Sequence, residues 1–265
     1  MRNIEVELIA NTPLRNAIIG ARTCWKSFNR DDYVDESNIG ENNINLLNKL
    51  VFQYQHESVI EHVVYTFRLS KFSRLILQEL SRHRIASPSV ESTRYVIKKD
   101  ILEYADIFEQ KDLPSFKERV KVVERFLTIP YVKSYNILDL DLQFETLKYI
   151  YLKVKAGVRN DEIKYILPEN WRVNNEILTI NARSLRNLLT LRTSQSAHFE
   201  FRYLAMLMLR ALPKNHINAL YKDILLNVTN MLHIGMQTFF ELDKVELLSF
   251  ILKDRFDYKE FLIDE

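Results

Sequence analysis

The sequence predicts an α+β fold. A small mixed or antiparallel sheet is flanked by long helices in a single domain spanning 1–265. Three observations carry this. Three short stretches read as strands: residues 2–10, "HVVYTFRLS" (62–70) and the start of "EILTINARS" (176–184). Most of the remaining chain repeats apolar residues at helical spacing. No repeat, low-complexity tract or shift of composition marks a linker.

Residues 2–10 alternate apolar and polar side chains, the period of a strand with one buried face. "TPLRNAIIGARTCW" opens on Thr12 and Pro13, an N-cap followed by a first-turn proline, so a helix starts there. Residues 27–42 are polar and turn-rich and read as a loop, followed by a helix through "NNINLLNKLVFQYQ". After the strand at 62–70, "KFSRLILQELSRHR" places Phe72, Leu75, Ile76 and Leu80 on one helical face. Pro88 marks an irregular segment. Helical patterns cover roughly 114–135 and 141–157. "GVRNDEIKYILP" is a short helix between a glycine stop and a proline stop. The strand at 176 runs into a helix, with Asn181 near the junction. "ARSLRNLLTLR", "SAHFEFRYLAMLMLRAL" and most of 214–252 are helical, and 244–265 reads as a possible appended helical tail.

Composition narrows the function classes. Apolar residues make up 47% of the 265, enough for a sizeable core. Charged residues balance at 37 basic to 35 acidic, so a net +2 gives no global argument for nucleic acid or membrane. Any anion site must come from local clustering. Four glycines, with no G-x-G-x-x-G or G-K-[ST], disfavour glycine-rich phosphate loops. The single cysteine, Cys24, excludes an internal disulfide and a thiolate zinc site within one chain. The N-terminus lacks a signal peptide's apolar core, and no apolar run reaches the ~18 residues of a membrane helix. The expectation is a cytoplasmic protein without nucleic-acid or membrane partners.

Three segments carry chemistry. In "HESVIEH" (56–62) the histidines His56 and His62 are six apart. Glu61 and His62 are adjacent and point to different faces, so a metal site is weakly signalled. The plainer reading is a loop before a strand, with Ser58 as a cap. In "SRHRIASPSVESTR" (81–94), Arg82 and Arg84 each offer a guanidinium fork suited to phosphate or carboxylate. Two cations beside His83 oppose metal ligation there. Ser87, Ser89, Ser92 and Thr93 add hydroxyls, and Arg94 closes the segment. A phosphate-binding loop, a solvated basic loop and a kinase target all fit. In "NARSLRNLLTLRTSQSAHFE" (181–200), Arg183, Asn187 and Thr190 share one helical face, which either meets solvent or lines a pocket.

Together the segments resemble, in order, the signatures of the flavin-dependent thymidylate synthases. Arg82, His83 and Arg84, then seven residues, then Ser92 match its R-H-R…S motif. "HESVIEHVVYTF" is similar to its H-E-[ST]-x-x-E-H stretch, and "ILPENW…TINARSLRNLLTLR" to its LP…N-A-R-S-L stretch. The likeness is clear over about 50–96 and 155–212 and weak over 97–150. It implies that family's fold, conversion of dUMP to dTMP, methylenetetrahydrofolate as carbon donor, NADPH as reductant and FAD as carrier. It also implies a homotetramer with shared active sites. By position it implies FAD contacts from His56, Ser58, Glu61, Arg82, His83, Arg84, Ile85, Asn181, Arg183, Asn187 and His198. It implies dUMP contacts from Glu79, Arg82, Glu91, Ser92, Thr93, Arg94, Lys164 and Arg192, with no metal. Arg192 is the implied catalytic residue. It faces the uracil, stabilises negative charge on the ring, and makes an enzyme nucleophile unnecessary.

This chain departs from the pattern at defined places. Val90 stands where many members have Glu or Gln, with Glu91 next to it, and Thr93 stands where many have Gly. Glu79 replaces a common Gln, so an acid would lie near the dUMP phosphate and repel it unless it contacts something else. Lys164 replaces an arginine and loses the fork. Ser196 holds the place of a loop histidine, and His198 lies two residues on. Competing readings are a cysteine-dependent synthase using Cys24, against a buried structural thiol; a nucleotide- or nucleic-acid-binding module using Arg82, Arg84, Arg94 and Arg192; and a metalloenzyme using His56, His62 and His83.

Overall fold

The computed structural model describes residues 3–27, 39–129 and 137–253. Its centre is a four-stranded antiparallel sheet in the order β1-β2-β6-β4. β1 is Glu5–Asn11, and β2, Val64–Ser70, pairs with it from Glu5–Ser70 to Asn11–Tyr65, with a bulge between Leu8 and Ala10. β6, Glu176–Asn181, pairs with β2 in turn. The bulged residue Ile9 is exposed. One face of β2 sends Tyr65, Phe67 and Leu69 inward beside Leu178 and Ile180 of β6. That alternation is the period-two pattern of the sequence.

Helices cover the inner face. α1 is Arg15–Trp25 and α2 is Glu41–Asn48, which runs on as one π-turn through Lys49–Gln53. Gly20 of α1 sits against the His62 ring; a Cβ there would lie 2.9 Å from His62 Cδ2. "HESVIEH" is not a loop but a 3₁₀ turn, Glu57–His62, and Ser58 does not cap it. The predicted helix at 71–84 is shorter. Phe72–Ser73 forms β3, paired with β5, Arg172–Val173. Ser73 then caps α3, Arg74–Leu80, its Oγ accepting from Ile76 N. The Arg82-His83-Arg84 run lies beyond that helix.

The segment around Pro88 is also corrected: Ala86–Val90 is β4, an edge strand on β6. Proline is tolerated at an edge, where the missing N–H faces away from the partner. α4, Thr93–Leu102, follows directly.

α4, α5 (Ala105–Phe108), α6 (Phe116–Phe126), α7 (Ile137–Lys155) and α8 (Asn160–Ile163) enclose a second apolar core. That core includes Ile97, Phe126, Phe144, Leu147, Tyr151 and Trp171. α6 begins at a capping box formed by Ser115 and Glu118 and stops at Phe126, short of the predicted 135. The remaining helices are α9 (Ala182–Arg192), α10 (Phe199–Ala211), α11 (Lys214–His216), α12 (Lys222–Leu232), α13 (Met236–Glu241) and α14 (Lys244–Lys253). α10 is buried along most of its length. The tail's first part, α14, packs on α10 and buries Leu247, Leu248, Ile251 and Leu252 in the main core. The rest of the predicted tail, 254–265, lies outside the described residues. Among the described residues, no helix is long and apolar enough to cross a membrane.

Candidate functional site

The best-built polar cluster joins α3, the turn after it, α9 and α10. Arg192 ends α9. Its Nη1 donates to Glu79 Oε2 at 2.7 Å and its Nε donates to His83 Nε2 at 3.2 Å. Its guanidinium lies over the Phe201 ring, 4.7 Å from the centroid, and His83 meets the same ring edge-on. Phe201 is fully buried, so it is a rigid floor. Glu79, expected near a phosphate, has its contact: it is the counter-ion of Arg192. Burial, and then the charge of Arg192, hold His83 below the usual imidazole range. The ring therefore stays neutral near pH 7, which leaves Nε2 able to accept from Arg192. Phe201 escaped the sequence reading because a buried aromatic in an apolar helix looks like core.

Arg82, Arg84 and Ile85 follow this cluster and are exposed. No ion pair holds either guanidinium among the described residues. The segment 81–94 is not one loop. β4 separates its two ends by five residues, about 17 Å at strand rise. Arg82 and Arg84 lie at the end of β4 where Ala86 pairs with Ile180. Ser92, Thr93 and Arg94 lie at the other end, past the pairing of Val90 with Glu176. There Ser92 opens α4 without capping it through its side chain, and Thr93 is buried. Arg94 is not an open fork: it forms an exposed pair with Asp161, Nε–Oδ1 2.8 Å. Asn160 Nδ2 donates to its carbonyl. Lys164 is exposed on the next turn, and Glu91 accepts from Asn175 Nδ2 at 3.3 Å.

The third group lies at the start of α9. Asn181 Oδ1 accepts from Ser184 N at 2.8 Å, a helix N-cap. Arg183 Nη1 donates to Glu61 Oε1 at 2.6 Å, so Glu61 is engaged there. Asn187 and Thr190 are exposed along the same face, as are His56 and Ser58 on their turn. His198 stands at the N-terminus of α10 with its ring against Phe199. Among the described residues no group of three His, Cys, Asp or Glu side chains is placed to hold a metal. Cys24 is exposed on α1, which overturns the buried-thiol reading.

The sequence reading missed Arg186. It is buried, and it donates from Nε to Glu57 and from Nη1 and Nη2 to Asp223 at 2.9 and 2.8 Å. Nη1 also donates to the Leu220 carbonyl. Its position three residues after Arg183 was visible; its inward face was not.

A family model described as thymidylate synthase complementing protein matches residues 7–216. The flavin-dependent thymidylate synthase of Wolinella succinogenes is 40% identical over 211 residues, covering 80% of this chain and 94% of that protein. That of Helicobacter pylori strain J99 is 37% identical over 214 residues, covering 81% and 95%. A crystal structure of thymidylate synthase X from Helicobacter pylori with FAD and dUMP superposes with a TM-score of 0.69 at 33% identity. It covers 83% of this chain and 99% of that one.

Proposed function

Because the chain belongs to the flavin-dependent thymidylate synthase family, we propose that it methylates dUMP to dTMP with FAD as cofactor. Methylenetetrahydrofolate is the carbon donor and NADPH the reductant. One observation carries the mechanism: Arg192 is held by Glu79, by His83 and by the face of Phe201. A guanidinium fixed this way needs no reorganisation when charge develops beside it. Its Nη2 has no partner among the described residues and is left to donate to a uracil oxygen. Negative charge drawn onto the ring raises the electron density at C5, which then attacks the carbon donor without an enzyme nucleophile. Neutral His83 orients Arg192 and moves no proton.

The donor set fits FAD. Its pyrophosphate needs cationic forks, and Arg82 and Arg84 present two that no carboxylate among the described residues engages. Asn187 and Thr190 on α9 and Ser58 on its turn offer further exposed polar groups. Bound FAD supplies hydride chemistry that no side chain of this chain can. Ser92, the first turn of α4, Arg94 and Lys164 are the proposed holders of the dUMP phosphate, since a helix N-terminus favours an anion. Arg94 must then exchange Asp161 for phosphate. The ~17 Å between the ends of β4 fits a site completed by a second copy, as in the homotetramer with shared sites that the family resemblance implies.

The test is tritium release from C5-labelled dUMP with FAD and methylenetetrahydrofolate, with and without NADPH. Release that needs both FAD and NADPH supports the reading. No release from folded protein overturns it. Arg192→Ala should abolish turnover while FAD binding survives. Activity within about tenfold of the parent, ~1.4 kcal/mol of barrier, would exclude the role given to Arg192.

A further inference from the structure

α7 is apolar on two opposite faces. Leu140, Phe144, Leu147, Ile150, Tyr151 and Val154 point into the second core. Leu138, Leu142, Tyr149 and Leu152 point outward, at 71, 68, 49 and 50% exposure. With exposed Glu145 between them, they follow alternating spacings of four and three residues, the seam of a helix pair. A helix apolar all round is normally covered on all sides. The charges along α7 identify the cover. Asp139, Asp141 and Glu145 occupy its first half, and Lys148, Lys153 and Lys155 its second. A second α7 running antiparallel lays acid on base; a parallel one lays like on like.

We propose that this face is an interface between two copies of the chain, with α7 packed antiparallel on the partner's α7 about a two-fold axis near residue 147. The inference deepens the assembly proposed above by naming a surface for it. In this register Leu142 lies against the partner's Leu152, and Glu145 lies beside the partner's Tyr149. Asp139 meets the partner's Lys153. Asp141, which also pairs with Arg119, lies near the partner's Lys155. Such an isologous contact buries the seam twice, once from each copy.

Cysteine cross-linking tests it in a Cys24→Ser background. Leu142 and Leu152 are ten residues apart on one helix, about 15 Å, too far for a disulfide within one chain. Mild oxidation of dilute L142C/L152C protein should give a covalent dimer as the main species on a non-reducing gel, and neither single variant should. Self-linking single variants would overturn the antiparallel register. Absence of cross-linking in folded protein would overturn the interface, whether sedimentation finds a monomer, a tetramer built on other faces, or another protein on the seam. Charge reversal gives an independent reading. Lys153→Asp should weaken the association measured by sedimentation, and adding Asp139→Lys should restore it; no recovery counts against the pairing. Both readings are independent of turnover, so the enzyme can be active with this surface wrong, or inactive with it right.

Discussion

Replacing Glu176 with glutamine should stabilise the protein at alkaline pH and do little at acid pH. Glu176 opens β6 on its core face, across from Leu69 of β2 and Val90 of β4. Its side chain is fully buried, at 0% exposure, and neither carboxylate oxygen has a hydrogen-bond partner among the described residues. Burial without a partner pushes its pKa from 4.5 up to about 7. The folded state therefore holds the proton more tightly than the unfolded chain. Below pH ~4.5 both states are protonated and ionisation costs nothing. Above pH ~7 both are ionised and the folded state bears the full penalty. At ~1.4 kcal/mol per pH unit the penalty is about 3 kcal/mol. Stability falls as pH rises through that window and is flat in this group above it. Glu176→Gln removes the dependence, so urea unfolding at pH 4, 5, 6, 7 and 8 should give a difference that grows from near zero at pH 4, through roughly 1 kcal/mol at pH 5, to about 3 kcal/mol at pH 8 in the variant's favour. Parallel stability curves for parent and variant, or a variant less stable at pH 8, would refute the reasoning.

Arg186→Ala should destabilise by about 2–3 kcal/mol, because it removes the charge-assisted hydrogen bonds to half-exposed Glu57 and Asp223 and takes a donor from the Leu220 carbonyl. Chemical denaturation checks this, with Arg183→Ala as the contrast. Its exposed pair with Glu61 is worth under ~1 kcal/mol. Arg192→Ala should raise the pKa of His83, since one of the two causes holding it down is that charge. Burial, the larger cause, keeps it below an ordinary imidazole. An NMR titration of His83 unchanged by the substitution would break the link between the two groups.

The strands at β1, β2 and β6 were legible because one face of each is buried and the sequence alternates accordingly. α9 and α10 were legible for the same reason at a different period. β4 was not: "ASPSV" has one β-branched residue, a central proline and two serines, and it is a strand because β6 offers it a ladder. The break of 71–84 into β3 and α3 was hidden too, since pairing of Phe72 with Val173 spans a hundred residues of chain. At the site, residue identities were readable and partners were not. That Glu79 faces Arg192, or that Asp161 faces Arg94, follows from which helices pack together. The face of Arg183, Asn187 and Thr190 was read as solvated or pocket-lining, and in this chain it is exposed.

Pro88 sets a limit on how the molecule can grow. β4 is one open margin of the sheet, and the Glu91 amide bonds the Asn175 carbonyl on the β6 side. By alternation, the amides of Ala86 and Val90 and the nitrogen of Pro88 face outward. The middle one of these carries no hydrogen. An incoming strand would lose its central bond, and any ribbon of sheets spreading from molecule to molecule would stall at that margin. The chain can thus display the serines beside Pro88 to solvent without offering a template for fibres.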